Sequence, residues 1–384
     1  MENQPRIRRA QSCAVDAREA ASEFHAAVQQ RDMELVVFFC SNRYDLDVLA
    51  EEMRRLFAGV QVVGCTTAGE IGPAGYLEHS LTGASFSARC LSAVTGQIDN
   101  LQQFEAAQGR AIAEGLRQRL ERHDPRADGN NCFALLLIDG LSVREEPVTR
   151  SLQHALGRLP LVGGSVSDGL RFRNTYVYFE GRFRSNSAIL ILATTRLPFR
   201  LFKTQHFVAT DERLVVTEAD TAARIVKEIN GLPAAQEYAR ILGVEERDLD
   251  HAHFASSPVV VMVDGGNYVR SIQKANPDGS LTLFCAIEDG VVLRVAKGVD
   301  LQTNLEQAFA RIRAEVGEPQ IVLGFDCVLR KLEITQSGST EAVADLFARN
   351  NTTGFSTYGE QFRGVHVNQT FVGIAVGSNC NGDG

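Results

Sequence analysis

The strongest constraint in this sequence is a unit that occurs three times: an apolar strand, a helical stretch, then a turn rich in Gly and Ser or Thr. The first copy opens at residues 35–40 and closes on Gly64-Cys65-Thr66-Thr67-Ala68-Gly69-Glu70. The second opens at 134–139 and closes on Gly163-Gly164-Ser165-Val166-Ser167-Asp168-Gly169, and the third runs from 321–327 to Gly354-Phe355-Ser356-Thr357-Tyr358-Gly359-Glu360. Cys40 to Gly64 and Asp139 to Gly163 both span 24 residues (64 − 40 and 163 − 139). A strand, a crossover helix and a glycine turn of fixed length describe a βαβ-like unit. Gly-Ser/Thr turns at strand ends bring backbone N–H groups and hydroxyls close to a ligand. Copied loops are therefore expected to face one shared cavity.

The expected fold class is α/β to α+β, with mixed sheets flanked by helices in two domains, because 384 residues exceed one ordinary core. A Gly/Pro break at Asn230-Gly231-Leu232-Pro233 places the division near residue 225, giving domains 30–225 and 226–377. Helices are expected at 14–30, 45–57 and 222–229, and residues 378–384 read as a frayed tail. A net charge of −8 offers no footprint for nucleic acid. Eight scattered cysteines without a C-x-x-C pair read as reduced thiols. The polar start carries no secretory pattern, and the longest apolar runs fall well short of the ~20 residues that span a bilayer. A cytoplasmic protein without membrane insertion is expected.

No nucleophile elbow, zincin helix, phosphate loop or dinucleotide fingerprint is present, so no enzymatic activity is expected. Cys327 ends the third strand, but nothing places an activating base beside it, and it reads as a structural thiol. Asp326 and Arg330 leave two readings open: a mutual ion pair, or an arginine free to clamp a carboxylate. His366, Asn368 and Thr370 alternate onto one face beside the third loop. His206 sits among apolar and β-branched neighbours, where a core histidine and a haem ligand are both at home. The pair His251 and His253 falls in an expected linker without further metal ligands.

In combination, the segments 63–71, 354–361, 366–370, 228–234, 268–272 and 326–330 resemble the FIST family of sensory proteins, with the resemblance running from about Val36 to Val376. It implies an N-terminal FIST N-type and a C-terminal FIST C-type domain. The last groups are similar to the NosP-like branch, whose type member binds haem and responds to nitric oxide. The resemblance thus implies a haem b cofactor, nitric oxide or another small ligand, and a histidine kinase as partner in two-component signalling. A homo-oligomer is left open. His206 and His366 are the candidate iron ligands. The candidate ligand-binding residues are Thr66, Thr67, Glu70, Ser165, Arg270, Asp326, Arg330, Ser356, Tyr358, Glu360 and Asn368. The alternative is a sensor of a small organic molecule such as an amino acid, held by the Gly-Ser/Thr loops with Arg330 or Arg270.

Overall fold

The repeated unit becomes a repeated sheet. The computed structural model describes residues 7–263 and 266–378, so all but Ser378 of the expected tail lies outside the described residues. In the first unit, strand Met33–Ser41 runs parallel to Gln61–Thr67 and antiparallel to Leu81–Ser87. Cys132–Asp139 has the same relation to Leu161–Val166 and Ala188–Thr195. So has Pro319–Cys327 to Thr352–Thr357 and Phe371–Gly377. The crossovers are the helices Leu46–Leu56 and Glu145–Leu156, and in the third unit the pair Val328–Gln336 and Thr340–Arg349. Asp45 caps the first of these through the amides of Asp47 and Val48, as its position before an apolar run requires.

Each sheet is finished by a hairpin from a different unit. The hairpin Glu70–Gly72/Gly75–Leu77 of unit one pairs with Thr352–Thr357 of unit three. Unit three's hairpin, Glu360–Phe362/Val365–Val367, pairs with Leu161–Val166 of unit two. Unit two's hairpin, Val177–Phe179/Arg182–Arg184, pairs with Gln61–Thr67 of unit one. The exchange closes a ring of three six-stranded sheets.

The strands read as unbroken apolar runs because both faces are buried. Leu35, Val37 and Phe39 point inward to a core shared with Leu135, Val162, Leu323 and Phe355 from the other units. Val36, Phe38 and Cys40 point outward to Phe24, Leu49 and Met53 of the covering helices. Units two and three repeat the arrangement with Leu136, Leu116 and Leu152, and with Val322, Phe347 and Phe371.

Residues 207–298 form a further, eight-stranded sheet inserted between strands of the third unit. Phe199–Thr204, before it, still pairs with Phe371–Gly377. The helix expected at 222–229 is a strand, Ile225–Ile229, antiparallel to the end of Phe207–Asp220. Its β-branched residues Ile225, Val226 and Ile229 favour the pleated surface over a helix. The division expected at 225/226 falls inside the second of these strands, just after Ile225. His251 and His253 lie on a short helix, His251–Ser256, capped by Asp250, and not on a linker. Mixed sheets in repeated strand–helix–loop units are thus the architecture of the chain.

The parallel pairs are so close that Gly64 faces Phe38 directly: a Cβ on it would stand 2.6 Å from the Phe38 carbonyl oxygen. Gly64→Ala should lower unfolding stability by about 1–3 kcal/mol, since backbone must move to admit the methyl. Gly115→Ala, on the helix Ala106–His123 with nothing within 4 Å of the added carbon, should raise it by up to about 1 kcal/mol. Denaturant melts of the two variants check the pair, and equal effects would contradict the close-approach account.

Candidate functional site

The three loops meet at one end of the shared core, bound to each other through their backbones. Ser356 N donates to Gly69 O at 2.8 Å, Ser165 N to Gly359 O at 2.7 Å, and Tyr358 N to Ser165 O at 3.1 Å. Thr66 N donates to Tyr176 O at 2.9 Å, and the Thr66 hydroxyl accepts from Tyr176 N at 3.1 Å. Ser356 Oγ is bonded to the Tyr76 hydroxyl, and Ser165 Oγ accepts from Gln361 Nε2 at 2.8 Å. The polar groups that the sequence offered to a ligand are therefore largely spent holding the units together.

Two of these loops nevertheless wall a cavity of about 320 Å³. Loop one contributes residues 67–70, loop two residues 168–171, and the Val328–Gln336 helix closes the third side. The expectation that all three loops share a cavity needs correction. Loop three stands behind the wall, where the Tyr358 hydroxyl bonds the Asp168 carboxylate and the Gly169 carbonyl. A larger open groove, about 1220 Å³, lies between Leu46–Leu56 and Ala106–His123. Its arginines are exposed side chains and none of the expected residues reaches it, so it is not the candidate site.

Glu70 and Glu360 occupy equivalent buried positions and make the same bonds. Each takes one from the preceding threonine hydroxyl, Thr67 or Thr357. Each also accepts from an amide and a hydroxyl across the hairpin: Ser80 N and Oγ, both at 2.9 Å, for Glu70; Thr370 N at 3.1 Å and Oγ1 at 2.6 Å for Glu360. Burial pushes the Glu70 carboxyl up to about 7 and the Glu360 carboxyl up to about 8, with these hydrogen bonds opposing the rise.

One cation of the cavity is Lys331, which sequence reasoning missed. Its Nζ donates to Ala68 O and to Glu78, each at 2.8 Å. It lies against Gly69, where φ of +142° disfavours any side chain and a Cβ would stand 2.5 Å from the ammonium and push it aside. Arg43, His79 and Arg171 line the same cavity. Asp168, also on the wall, is engaged by its own loop: its two oxygens accept from the amides of Phe172, Arg173 and Asn174 at 2.8–2.9 Å. Two signals were available. Lys331 adjoins the Asp326–Arg330 run. Once Glu70 is matched to Glu360, Glu78-His79-Ser80 falls on Asn368-Gln369-Thr370.

The remaining expected residues lie outside this cavity. Asp326 and Arg330 pair with each other at 2.7 Å with no exposure on either side chain, which decides between their two readings. Arg270 stands in the inserted sheet beside Cys285. Asn368 is fully buried with neither amide atom hydrogen-bonded. Cys327 is buried, and burial pushes its thiol well above the ordinary range, as an inert thiol requires.

His206 is not in the expected apolar setting. Arg330 Nη1 donates to its Nδ1 at 2.9 Å, which leaves the ring proton on Nε2, facing both Glu333 oxygens at 2.8 and 2.9 Å. Burial lowers its pKa and keeps the ring neutral. His366 is buried with Nδ1 3.2 Å from Gln361 Nε2, and its Nε2 edge packs on Gly359, where a Cβ would stand 2.7 Å away. Neither imidazole turns a free lone pair toward open space, so these residues as arranged do not fit a haem iron. Among the described residues no group of three or more His, Cys, Asp and Glu is placed to hold a metal, and no helix is long and apolar enough to cross a membrane.

A family model of the FIST N domain matches residues 34–232, and one of the FIST C domain matches residues 234–363. No curated protein matches. Among solved structures, a cyanuric acid hydrolase from A. caulinodans is similar over 97% of this chain and 99% of its own, with 9% identity and a TM-score of 0.36. A second cyanuric acid hydrolase covers 96% of this chain and 99% of its own, with 11% identity and a TM-score of 0.34. These neighbours are enzymes, so the expectation of a chain without catalytic activity is withdrawn. At such TM-scores they assign no activity to it either.

The raised carboxyls of Glu70 and Glu360 have a thermodynamic consequence. The folded state keeps protons that the unfolded chain releases near the ordinary value of 4.5. The stability they contribute is complete below that value and is lost as pH rises through about 7 and 8. Thermal melts from about pH 5 to 9 should show a falling Tm, and Glu360→Gln, which cannot ionise, should flatten the fall. Parallel curves for the variant and the parent protein would rule the account out.

Proposed function

The chain belongs to the FIST family, and from that premise we propose that its signal is a small organic molecule bearing a carboxylate, with an amino acid the first candidate. FIST domains are sensory domains of signal transduction that bind small ligands. The observation that carries the finer reading is Lys331. It is a half-buried ammonium at the wall of a 320 Å³ cavity, with Arg43 and Arg171 alongside and Glu78 beside it. That volume is at the lower end for small-molecule sites. A carboxylate can replace Glu78 on Lys331, and a charge-assisted bond of that kind strengthens in a partly enclosed site. Glu78, once displaced, is available to an ammonium group.

Haem b and nitric oxide, implied by the resemblance to the NosP-like branch, form the rival reading. It requires His366 to leave Gly359, or His206 to release Arg330 and Glu333. A histidine kinase is the proposed partner, on the strength of the family resemblance.

Melting-temperature shifts and calorimetry with the twenty amino acids and small dicarboxylates test the leading reading. Binding by at least one is expected, weakened about tenfold or more in Lys331→Met, the loss of one hydrogen bond to a charged group. No binder in the set, or a variant that binds like the parent protein, defeats it. A sharp Soret band on titration with ferric haem, shifting with nitric oxide, moves the assignment to the rival. For the partner, autophosphorylation of a genomic-neighbour kinase should change on addition of the ligand-loaded protein relative to the ligand-free form. Identical rates remove the kinase from the proposal.

A further inference from the structure

The Val328–Gln336 helix presents one face to the cavity and the adjoining one to the neck of the inserted sheet. Val328, Lys331, Leu332 and Thr335, spaced at i, i+3, i+4 and i+7, wall the cavity. Arg330 and Glu333 grip opposite edges of the His206 ring, at 2.9 Å on Nδ1 and at 2.8 and 2.9 Å on Nε2. His206 is the residue before the strand Phe207–Asp220, by which the chain enters the inserted sheet. Its carbonyl oxygen accepts from Val299 N at 2.7 Å, where the chain leaves that sheet. Gly298 packs on the same ring, with a Cβ there 3.4 Å from Cδ2. Entry and exit of the inserted sheet therefore meet at one imidazole held by one helix.

The geometry of that grip is restrictive. Arg330 is itself fixed by Asp326, and the tautomer it imposes lets His206 donate only toward Glu333. A small rotation or slide of the helix cannot keep both bonds unless the neck follows. The inserted region also packs on this helix through Ala255 and Phe284, buried with Val328 and Leu329, and it has two further anchors that do not involve the helix. Arg224 pairs with Glu145 at 2.7 Å and with Glu146, and Gln369 bonds Ser271 at 3.1 Å and Ala255 O at 2.7 Å. A displacement at the neck is thus a tilt about those anchors. A ligand that engages Lys331 must draw it from Ala68 O or Glu78, which gives the ligand a differential contact with two positions of the helix, as any shift of a conformational equilibrium requires.

We propose that the Val328–Gln336 helix relays occupancy of the cavity to the inserted sheet through the Arg330–His206–Glu333 clasp, so that filling the cavity changes the tilt of that sheet. This rests on the cavity being the ligand site, but its test needs no ligand, so the two fail separately. Thr335→Trp, or Arg171→Trp from the opposite and exposed wall should the first not fold, fills the cavity with an indole. Hydrogen–deuterium exchange is then followed at the neck amides of Phe207 and Val299. Either variant should change exchange there by about fivefold or more, the lower end of ordinary coupling energies. In a Glu333→Ala background the filled and unfilled proteins should agree at the neck, whereas Glu333→Gln, which keeps an acceptor for Nε2–H, should retain the response. A change confined to residues 67–70 and 168–171 overturns the relay, and so does a neck response undiminished by Glu333→Ala.

Discussion

The exchange of hairpins around the ring is the constraint from which the rest of the molecule follows. No core sheet is complete without strands from a neighbouring unit, so the three units bury one common interior through Phe39, Leu135 and Phe325. Each Gly-rich loop is the segment from which the chain leaves its own sheet for another. Hence the loops lie together at one end, and hence their amides bond each other. Buried backbone groups at such a crossing must be paired, and the partners at hand are the neighbouring loops.

Polar side chains at the crossing serve the same end. Glu70 and Glu360 each hold a loop to the far end of its hairpin, and Asp326 with Arg330 ties the third strand to the helix after it. Removing one member of such a set leaves a buried group without a partner, the costlier half of a hydrogen bond's energetics. Two such carboxyls, lifted by burial, leave the fold sensitive to pH in the neutral range.

The copies are alike in frame and different in access. His79 and Gln369 occupy matched positions and share a left-handed backbone, with φ of 62° and 47°. At loop one the surroundings form an open cavity with Lys331, Glu78 and His79 on its walls. At loop three the inserted sheet covers the equivalent place, with Gln369 bonded to Ser271 and Ala255 O and with Asn368 enclosed beside His366. One copy thus borders an open cavity while another has become a buried joint. The difference is made by residues 207–298 and not by the loops themselves.

The sequence by itself determined the repeated unit, its three loops, the apolar strands and the match of Glu70 to Glu360. Local periodicity, glycine placement and spacing are properties of contiguous residues and survive without coordinates. The tertiary structure decided what those loops are for. Thr66, Ser165 and Ser356 looked like ligand donors because a turn's hydroxyls are free until another chain segment takes them, and the exchanged hairpins take them. Arg330 and His206 looked like separate candidates, yet they are 124 positions apart in sequence and bonded in space. Lys331 went unnoticed beside Arg330 because nothing local says which of two adjacent cations on a helix faces a cavity. The helix turns about 100° between them, and the packing of the neighbouring units sets which one points to solvent and which to the core.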